Sequence, residues 1–324
     1  MDNYEVVRYS SNLYDEWNNF VLTSKNATFL FHRDFMEYHQ ERFEDFSLMV
    51  YHKNKLVSAF PANINSNKLH SHQGLSYGGL ILPSKSSFNS VLESLYSILK
   101  FSYNQNIKSI ILKQLPKIYH LRPSDELDYL LFILKAKLYR KDISMTISLN
   151  KALEFSALRK RQLKTALQND LKIKLEVDFT AFWNDVLVPN LKLKFGVKPV
   201  HSLFEINALH EKFPNNIKQY NVYLKDEILA GCTVFETENV AHLQYISTKK
   251  DKNVGALDFL INKLISEVYK DKEYFDFGIS NENKGKNINL GLLNWKQSFG
   301  ASAIVHDFYE VETKNHQLLK DIFI

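Results

Sequence analysis

Apolar and polar residues recur along this chain with two periods, one near two residues and one of three to four. The first period predicts half-buried strands and is clearest at residues 143–149, where apolar residues alternate with serine and threonine. The second predicts amphipathic helices and is clearest at residues 257–268. Segments of both kinds follow one another throughout, so we expect an α/β protein with a mixed sheet.

The predicted elements follow the same order in both halves of the chain: helices, a three-stranded meander, a helix, a strand, a helix and a strand. The two sequences are not visibly alike, but the repeated order predicts two copies of one fold, in domains 1–150 and 151–324. Within the first copy, the pattern predicts one helix over residues 29–43 and a strand over residues 75–82.

Composition narrows the class of protein without naming a substrate. The chain has 324 residues, 45% of them hydrophobic and 24% charged, and a net charge of +5, which suits anionic ligands such as CoA or tRNA. Its one cysteine, Cys232, excludes an internal disulfide, and no Cys/His spacing indicates a metal site. Neither a secretory signal nor an apolar run long enough for a membrane span is visible, so we expect a cytoplasmic enzyme with no DNA partner.

A strand, a polar loop and a helix stand in succession between residues 240 and 268. The loop contains Lys249, Lys250, Lys252 and Asn253, and Gly255 stands where the helix begins. Backbone N–H groups at a helix start and nearby lysines can bind a pyrophosphate. An ordinary polar turn with a helix cap would have the same composition.

Polar residues also lie inside the strands around this loop. His242 and Gln244 share one face of their strand, opposite Tyr245, and Asp276 interrupts an apolar strand, as either a structural acceptor or a site residue. Ser280 and Asn281 follow the carboxyl end of that strand, where ligands of open α/β sheets gather. On the next helix, Lys296 is expected to be an exposed surface residue.

The first half contains a dense polar motif, SHQGLSYGG, at residues 71–79. Its His72, Gln73 and Tyr77 are hydrogen-bonding groups beside glycines that permit close backbone approach. A bulged hairpin with a glycine corner is the alternative interpretation. His70 and His72 share a strand face, but no third ligand is apparent, which argues against a metal.

A basic cluster follows the boundary between the halves. Its members, Arg159, Lys160, Arg161 and Lys164, lie on one predicted helix. Such a run is typical of a solvated helix face, and the alternative is a binding surface for phosphate, RNA or lipid headgroups.

Several of these segments together resemble the GNAT superfamily of acyltransferases. The second half does so through HLQYIS, KKDKNVGALDFL, YFDFGIS and GLLNWKQSFGA, and the first through FLFHRDFMEYHQERFEDFSL and SHQGLSYGGLIL. The branch it resembles includes the FemAB-like peptidoglycan aminoacyl ligases and the BioF2-like acetyltransferase domains. The resemblance implies two tandem GNAT-like domains, a degenerate first domain on the acceptor side and a second domain on the acyl-donor side.

The same resemblance implies an acyl-CoA co-substrate, bound by a loop of the form Q/R-x-x-G-x-G/A. In this chain the loop falls on residues 250–256, with Lys250 in the leading position, Asn253 in place of the first glycine, and Lys252, Val254, Gly255 and Ala256 beside them. FemAB-like enzymes instead take an aminoacyl group from charged tRNA, and the basic helix would suit that donor.

The implied function is N-acyl transfer from acyl-CoA, such as acetyl-CoA, to an amine of a sugar or other cell-envelope precursor. The alternatives are a FemAB-like aminoacyl-tRNA-dependent peptidoglycan ligase and a non-catalytic binding protein on a decayed GNAT pair. Tyr245 is the candidate proton donor to the leaving group or a substrate contact, and Asp276 and His242 are the candidate bases. The candidate substrate-binding residues are His39, His72, Gln73, Tyr77, Gln244, Ser280 and Asn281.

Overall fold

The computed structural model describes residues 4–151, 154–249 and 254–323, without the side chain of Phe195. The chain divides into two compact units. Unit 1 comprises Met1–Asp142 and Val305–Ile324, and unit 2 comprises Ile143–Ile304. The division therefore falls eight residues before the expected boundary at 150, and the C-terminal residues belong with the first unit because the last strand pairs there.

Unit 1 has an α/β structure. Its strands are β1 (Tyr4–Arg8), β2 (Glu44–Asp45), β3 (Leu48–His52), β4 (Lys55–Phe60), β5 (Asn63–Asn65), β6 (Lys68–Ser71) and β7 (Ser109–Lys113). Its helices are α1 (Tyr14–Leu22), α2 (Arg33–Met36), α3 (Phe88–Asn104) and α4 (Glu126–Ile133). The strand β8 (Lys137–Ser148) then leads into unit 2, and β16 (Ser302–Glu312) leads back.

Two groups of strands form the sheets of unit 1. In the first, β1, β3 and β4 make an antiparallel meander. In the second, the order is β2-β5-β6-β7-β16, with β6 and β7 parallel and the other pairs antiparallel. The helix α3 buries one face, including Leu92, Leu95 and Leu99, in a core shared with β3, β4 and β7, as its apolar spacing predicts.

Two predicted elements of unit 1 differ from the structure. Residues 29–43 form a short 3₁₀ turn, α2 and a second 3₁₀ segment instead of one helix. The side chains of Thr28 and His32 accept hydrogen bonds from the backbone N–H groups two residues later, and each of these bonds caps the start of a new helical segment. Residues 75–82 make only isolated bridges. Gly79 has a φ of +113° there, and a Cβ on Gly78 would lie 1.7 Å from the Ser71 carbonyl oxygen.

Unit 2 follows the predicted order closely. Its strands are β9 (Leu171–Glu176), β10 (Ile217–Leu224), β11 (Glu227–Glu236), β12 (Val240–Thr248), β13 (Tyr274–Ile279), β14 (Asn281–Glu282) and β15 (Asn287–Ile288). Its helices are α5 (Ala157–Leu167), α6 (Thr180–Phe182), α7 (Val188–Phe195), α8 (Leu203–Lys212), α9 (Ala256–Lys263) and α10 (Leu290–Gln297). A π-helical turn at Trp183–Leu187 joins α6 to α7, and another at Leu264–Val268 extends α9.

The sheet of unit 2 has the order β8-β13-β12-β11-β10-β9. All neighbours are antiparallel except β12 and β13, whose parallel pairing covers three residue pairs and ends at His242 and Asp276. On the other side of β12, Thr233 pairs with Tyr245 and Val234 with Leu243, so Gln244 is the extra residue of a β-bulge. A bulge beside a short parallel ladder separates the ends of β12 and β13.

Of the helices that the structure describes, none combines the length and the apolarity needed to cross a membrane.

Candidate functional site

Asp276 is the centre of a polar cluster at the point where β12 and β13 separate. Its side chain is completely buried. Its carboxylate accepts hydrogen bonds from Ser144 Oγ at 2.6 Å, Thr146 Oγ1 at 3.1 Å and the Gly278 N–H at 3.0 Å. The His242 ring approaches it with Nδ1 at 2.9 Å. A buried carboxylate needs such partners, and β8 provides two of them.

His242 is the member of this cluster that reaches the surface, with a side chain 20% exposed. Because a carboxylate only accepts hydrogen bonds, its contact with Nδ1 assigns the ring hydrogen to that atom and leaves Nε2 as an acceptor in the neutral ring. Gly278 makes room for the ring: its φ is +74°, and a Cβ there would lie 3.3 Å from His242 Cε1. In this orientation the neutral ring can accept a proton at Nε2.

Lys296 on α10 is buried against the same strand end, contrary to the expectation of a surface residue. Its side chain is 2% exposed, and Nζ donates to the carbonyls of Gly278 at 2.7 Å and Ile279 at 2.6 Å. Burial lowers its pKa to about 8, against the opposing effect of the Asp276 charge. The sequence contains one indication of this burial. Lys296 stands three residues after Leu293 and three before Phe299, which places it on the apolar face of its helix.

Ser280 and Asn281, expected to bind substrate, follow directly after the end of β13 that Lys296 contacts. The backbone of Ser280 donates to the Ile143 carbonyl, and Asn281 Oδ1 accepts from the Ile143 N–H at 2.7 Å. Asn281 thus fastens this strand end to β8. The Ser280 hydroxyl is buried and makes no hydrogen bond to the described residues.

Tyr245, the expected proton donor, has a hydroxyl that is already engaged. The His201 N–H donates to it at 3.1 Å, and His201 Nδ1 lies within hydrogen-bond distance at 2.6 Å. Burial raises the pKa of Tyr245 to about 12. The ring packs edge-on against Trp183. The hydroxyl therefore holds the chain at His201 onto β12, next to the bulged Gln244.

The predicted phosphate loop is described only from Val254 onward, and Lys250, Lys252 and Asn253 lie outside the described residues. Val254 packs against the apolar core and Ala256 begins α9. Gly255 caps α9 with a φ of +71°, and a Cβ there would lie 2.9 Å from the Gln162 carbonyl oxygen on α5. The helix α5 thus packs directly against the start of α9.

A carboxylate also occupies the first turn of α9. Asp258 forms an ion pair with Arg159 of α5, and both side chains are largely buried. Burial raises the pKa of Asp258, while Arg159 acts in the opposite direction. The other members of the basic cluster, Lys160, Arg161 and Lys164, are exposed. Arg159 is therefore structural, and the remaining three residues form the accessible basic face of α5.

The predicted residues of unit 1 form a cluster within that unit. The rings of His39 and His72 stack with centroids 5.5 Å apart and planes at 12°, and both bond to the main chain of Gly74. Burial, with His39 and then Lys113 as further causes, lowers the pKa of His72 to about 3. Both rings therefore brace the turn at Gly74.

Gln73 and Tyr77 complete this cluster through contacts within unit 1. Gln73 exchanges two hydrogen bonds of 2.8 Å with Asn63. Tyr77 is buried and donates to Thr28 Oγ1 at 3.0 Å. Beneath the motif, Lys113 Nζ donates to the carbonyls of Gln73 at 3.2 Å and Leu75 at 2.6 Å, and burial lowers the pKa of Lys113 to about 8.

The architecture of this chain is similar to that of proteins with solved structures. No protein-family model matches the chain, and no curated protein sequence does either. Among solved structures, FemX superposes with a TM-score of 0.66 at 10% identity, covering 98% of this chain and 99% of that one. The chain has the FemX fold. The expected fold class, an α/β protein with a mixed sheet, is confirmed.

Two further structures share the FemX fold with this chain. The C-terminal domain of a putative lysylphosphatidylglycerol synthetase from Agrobacterium fabrum has a TM-score of 0.59 at 10% identity, with 96% of this chain and 95% of that chain covered. L-PGS from Bacillus licheniformis has a TM-score of 0.55 at 12% identity, with 81% of this chain and 85% of that chain covered.

Among the described residues, no cluster of His, Cys, Asp and Glu side chains could hold a metal ion.

Proposed function

We propose that this chain is a transferase that moves an aminoacyl group from the ester of a charged tRNA to an amine of a cell-envelope precursor. The observation that carries the proposal is the His242–Asp276 pair, placed where the ladder between β12 and β13 ends. The likeness in fold to FemX and to the lysylphosphatidylglycerol synthetase domain supports the reaction class.

In this mechanism the acceptor amine arrives protonated and releases one proton to solvent before it attacks as the neutral amine. Nε2 of His242 accepts a second proton, the one that the nitrogen must lose once it has bonded to the carbonyl carbon, and the buried Asp276 stabilises the imidazolium. The amine nitrogen forms a bond to the ester carbonyl carbon, and the bond from that carbon to the tRNA oxygen breaks. The proton held by His242 then moves to the departing oxygen, so that the ring returns to its neutral form.

Asp276 acts through His242 and not on the substrate, because its carboxylate is fully buried and surrounded by donors. Lys296 supplies a positive charge beside it and holds the two carbonyls that shape the strand end. The backbone N–H groups of β12 beyond His242 lie past the parallel ladder and are the candidates to stabilise the tetrahedral oxyanion.

The start of α9 favours an ester donor over acyl-CoA. An anion site at a helix N-terminus needs open space and a positive potential. Here α5 packs against Gly255, and the Asp258 carboxylate already lies in the first turn. The exposed Lys160, Arg161 and Lys164 offer charges to a polynucleotide backbone instead.

Binding measurements with a deacylated tRNA mixture at several salt concentrations test the donor. We expect binding that weakens with salt, and the variant K160Q/R161Q/K164Q should reduce the logarithmic salt slope by about 2 to 3. The matched control K172Q/K225Q/K270Q removes three exposed lysines elsewhere in unit 2 and should keep the slope. Absence of tRNA binding at low salt, or equal losses in both variants, contradicts this donor.

Acyl-CoA-dependent N-acyl transfer is the second candidate, and the observation in its favour is Gly255 in the left-handed region between β12 and α9. Calorimetry with acetyl-CoA separates the two. Saturable acetyl-CoA binding without tRNA binding would select this candidate. A chain that binds tRNA or acetyl-CoA but turns over no donor would be a non-catalytic binding protein.

A further inference from the structure

A lysine-rich segment, residues 190–204 of unit 2, exposes apolar and basic side chains together. It comprises the second half of α7, the turn at Gly196 and the start of α8. Its exposed apolar side chains are Leu193 at 74%, Val197 at 51%, Val200 at 71% and Phe204 at 82%. Its exposed basic side chains are Lys192, Lys194 and Lys198, and the segment contains no acidic residue.

The fold holds this segment in place at both ends. Asn190 Nδ2 donates to Ser247 Oγ at 2.8 Å and to the Thr248 carbonyl at 2.6 Å. At the other end, the main chain and ring of His201 bond to the Tyr245 hydroxyl. Between these anchors, Gly196 has a φ of +66° and ends α7, so the chain turns without strain. The segment is therefore fixed along the carboxyl half of β12, the strand that carries His242.

Side chains of this composition fit one kind of partner better than others. Large apolar groups left in water cost free energy, and grouped in one short segment they mark an interaction site. Three lysines without a carboxylate select an anionic partner. Single-stranded RNA is bound mainly by aromatic stacking and by arginine, whereas three of these four apolar residues are aliphatic and the segment lacks arginine.

We infer that the lysine-rich segment docks on the surface of an anionic lipid bilayer. Leu193, Val197, Val200 and Phe204 enter the boundary between headgroups and acyl chains, while the three lysines pair with lipid phosphates. Docking brings the end of β12 towards the membrane surface, where a lipid-linked acceptor would be found. The inference does not depend on the proposed tRNA donor, because vesicle binding is measured without tRNA and without catalysis.

Sedimentation of the full chain with vesicles tests the inference. We expect binding to vesicles of phosphatidylcholine with phosphatidylglycerol, weakening with salt, and little binding to phosphatidylcholine alone. The variant K192Q/K194Q/K198Q should lose about tenfold to a hundredfold in partition coefficient. The variant L193S/V200S/F204S keeps the charge and should also bind more weakly, which separates insertion from charge attraction.

The matched control K172Q/K225Q/K270Q has the same loss of charge and should bind vesicles like the wild type. F204W should show Trp quenching by brominated lipids above the background of the wild-type tryptophans. Thermal unfolding of each variant confirms that the fold is kept. Three results would each overturn the inference. The first is no binding of the wild type to anionic vesicles at low salt, and the second is an equal loss of vesicle binding in K192Q/K194Q/K198Q and its control. The third is a loss of tRNA binding in K192Q/K194Q/K198Q while its vesicle binding stays intact.

Discussion

Each of the two units holds a lysine against the main chain of a glycine-containing segment, and the comparison shows how the surroundings of the two lysines differ. Lys113 in unit 1 and Lys296 in unit 2 each donate to two carbonyls, and burial lowers the pKa of each to about 8. What differs is the set of side chains near each lysine. Lys296 lies beside the strand that carries the buried Asp276, which holds a partly exposed His242.

In unit 1 the corresponding neighbours are His39 and His72, which face each other without an intervening carboxylate. The lowered pKa of His72 keeps its ring neutral under ordinary conditions, and its Nδ1 already accepts the Gly74 N–H. A lysine held against main-chain carbonyls is thus no evidence of chemistry by itself. The distinguishing feature of unit 2 is a histidine that combines partial exposure with a buried carboxylate partner.

The largest effect that distinguishes the units is expected at the two lysines. K296M removes the positive charge beside Asp276 and leaves two carbonyls unpaired, which should cost about 3–5 kcal/mol of unfolding free energy. K113M leaves two carbonyls unpaired near Asp142, a carboxylate that Arg140 already pairs, and should cost about 1–3 kcal/mol. Urea unfolding measures both, and equal losses would remove the electrostatic distinction between the units.

The next effect is a dependence of stability on pH that originates in unit 1. Because the pKa of His72 falls from 6.5 to about 3 on folding, the unfolded chain binds a proton that the folded chain rejects between those values. The contribution of neutral His72 to the unfolding free energy should therefore be fully present above pH 6.5. It should be lost as the pH drops towards 3, by on the order of a few kcal/mol.

The variant H72N retains an acceptor for the Gly74 N–H but has no titrating ring. Its unfolding free energy should change less between pH 6.5 and pH 4 than that of the wild type, as measured by denaturant unfolding at each pH. An identical acid profile for variant and wild type would show that other groups dominate.

The smallest effect concerns the space around His242. G278A places a Cβ 3.3 Å from the ring at a φ of +74° and should cost about 1–2 kcal/mol. The control G285A has a similar φ of +85° in the turn between β14 and β15 and should cost a similar amount. Transfer activity should fall only for G278A, and a matching fall for G285A would mean that strain, not displacement of His242, is responsible.

Sequence reasoning predicted the fold better than the site. Hydrophobic periodicity predicted α9, β13 and the order of elements in unit 2, because those segments bury one continuous apolar face. It missed the break at residues 29–43, where local side-chain bonds from Thr28 and His32 override an apolar pattern. It also could not show that the last strand belongs with unit 1, since pairing partners are set by the whole sheet.

Within the site, alternation along β12 and β13 placed His242 and Asp276 on polar faces, but their contact follows from a parallel ladder that no local pattern encodes. Lys296 was missed because a lysine on an apolar face is rare, so the expectation of exposure outweighed its helical spacing. Tyr245 was singled out for catalysis on its position alone. Its bonds to His201, forty-four residues away, depend on tertiary structure.

The measurement that tests the central claim most directly is single-turnover transfer from a charged tRNA to an amine acceptor by the wild type and H242Q. Glutamine keeps a polar side chain but cannot accept the proton, so we expect a rate lower by about 10²–10⁴ with tRNA binding and unfolding free energy nearly unchanged. D276N should also slow the step by misorienting the ring. A rate for H242Q within threefold of the wild type would contradict the account.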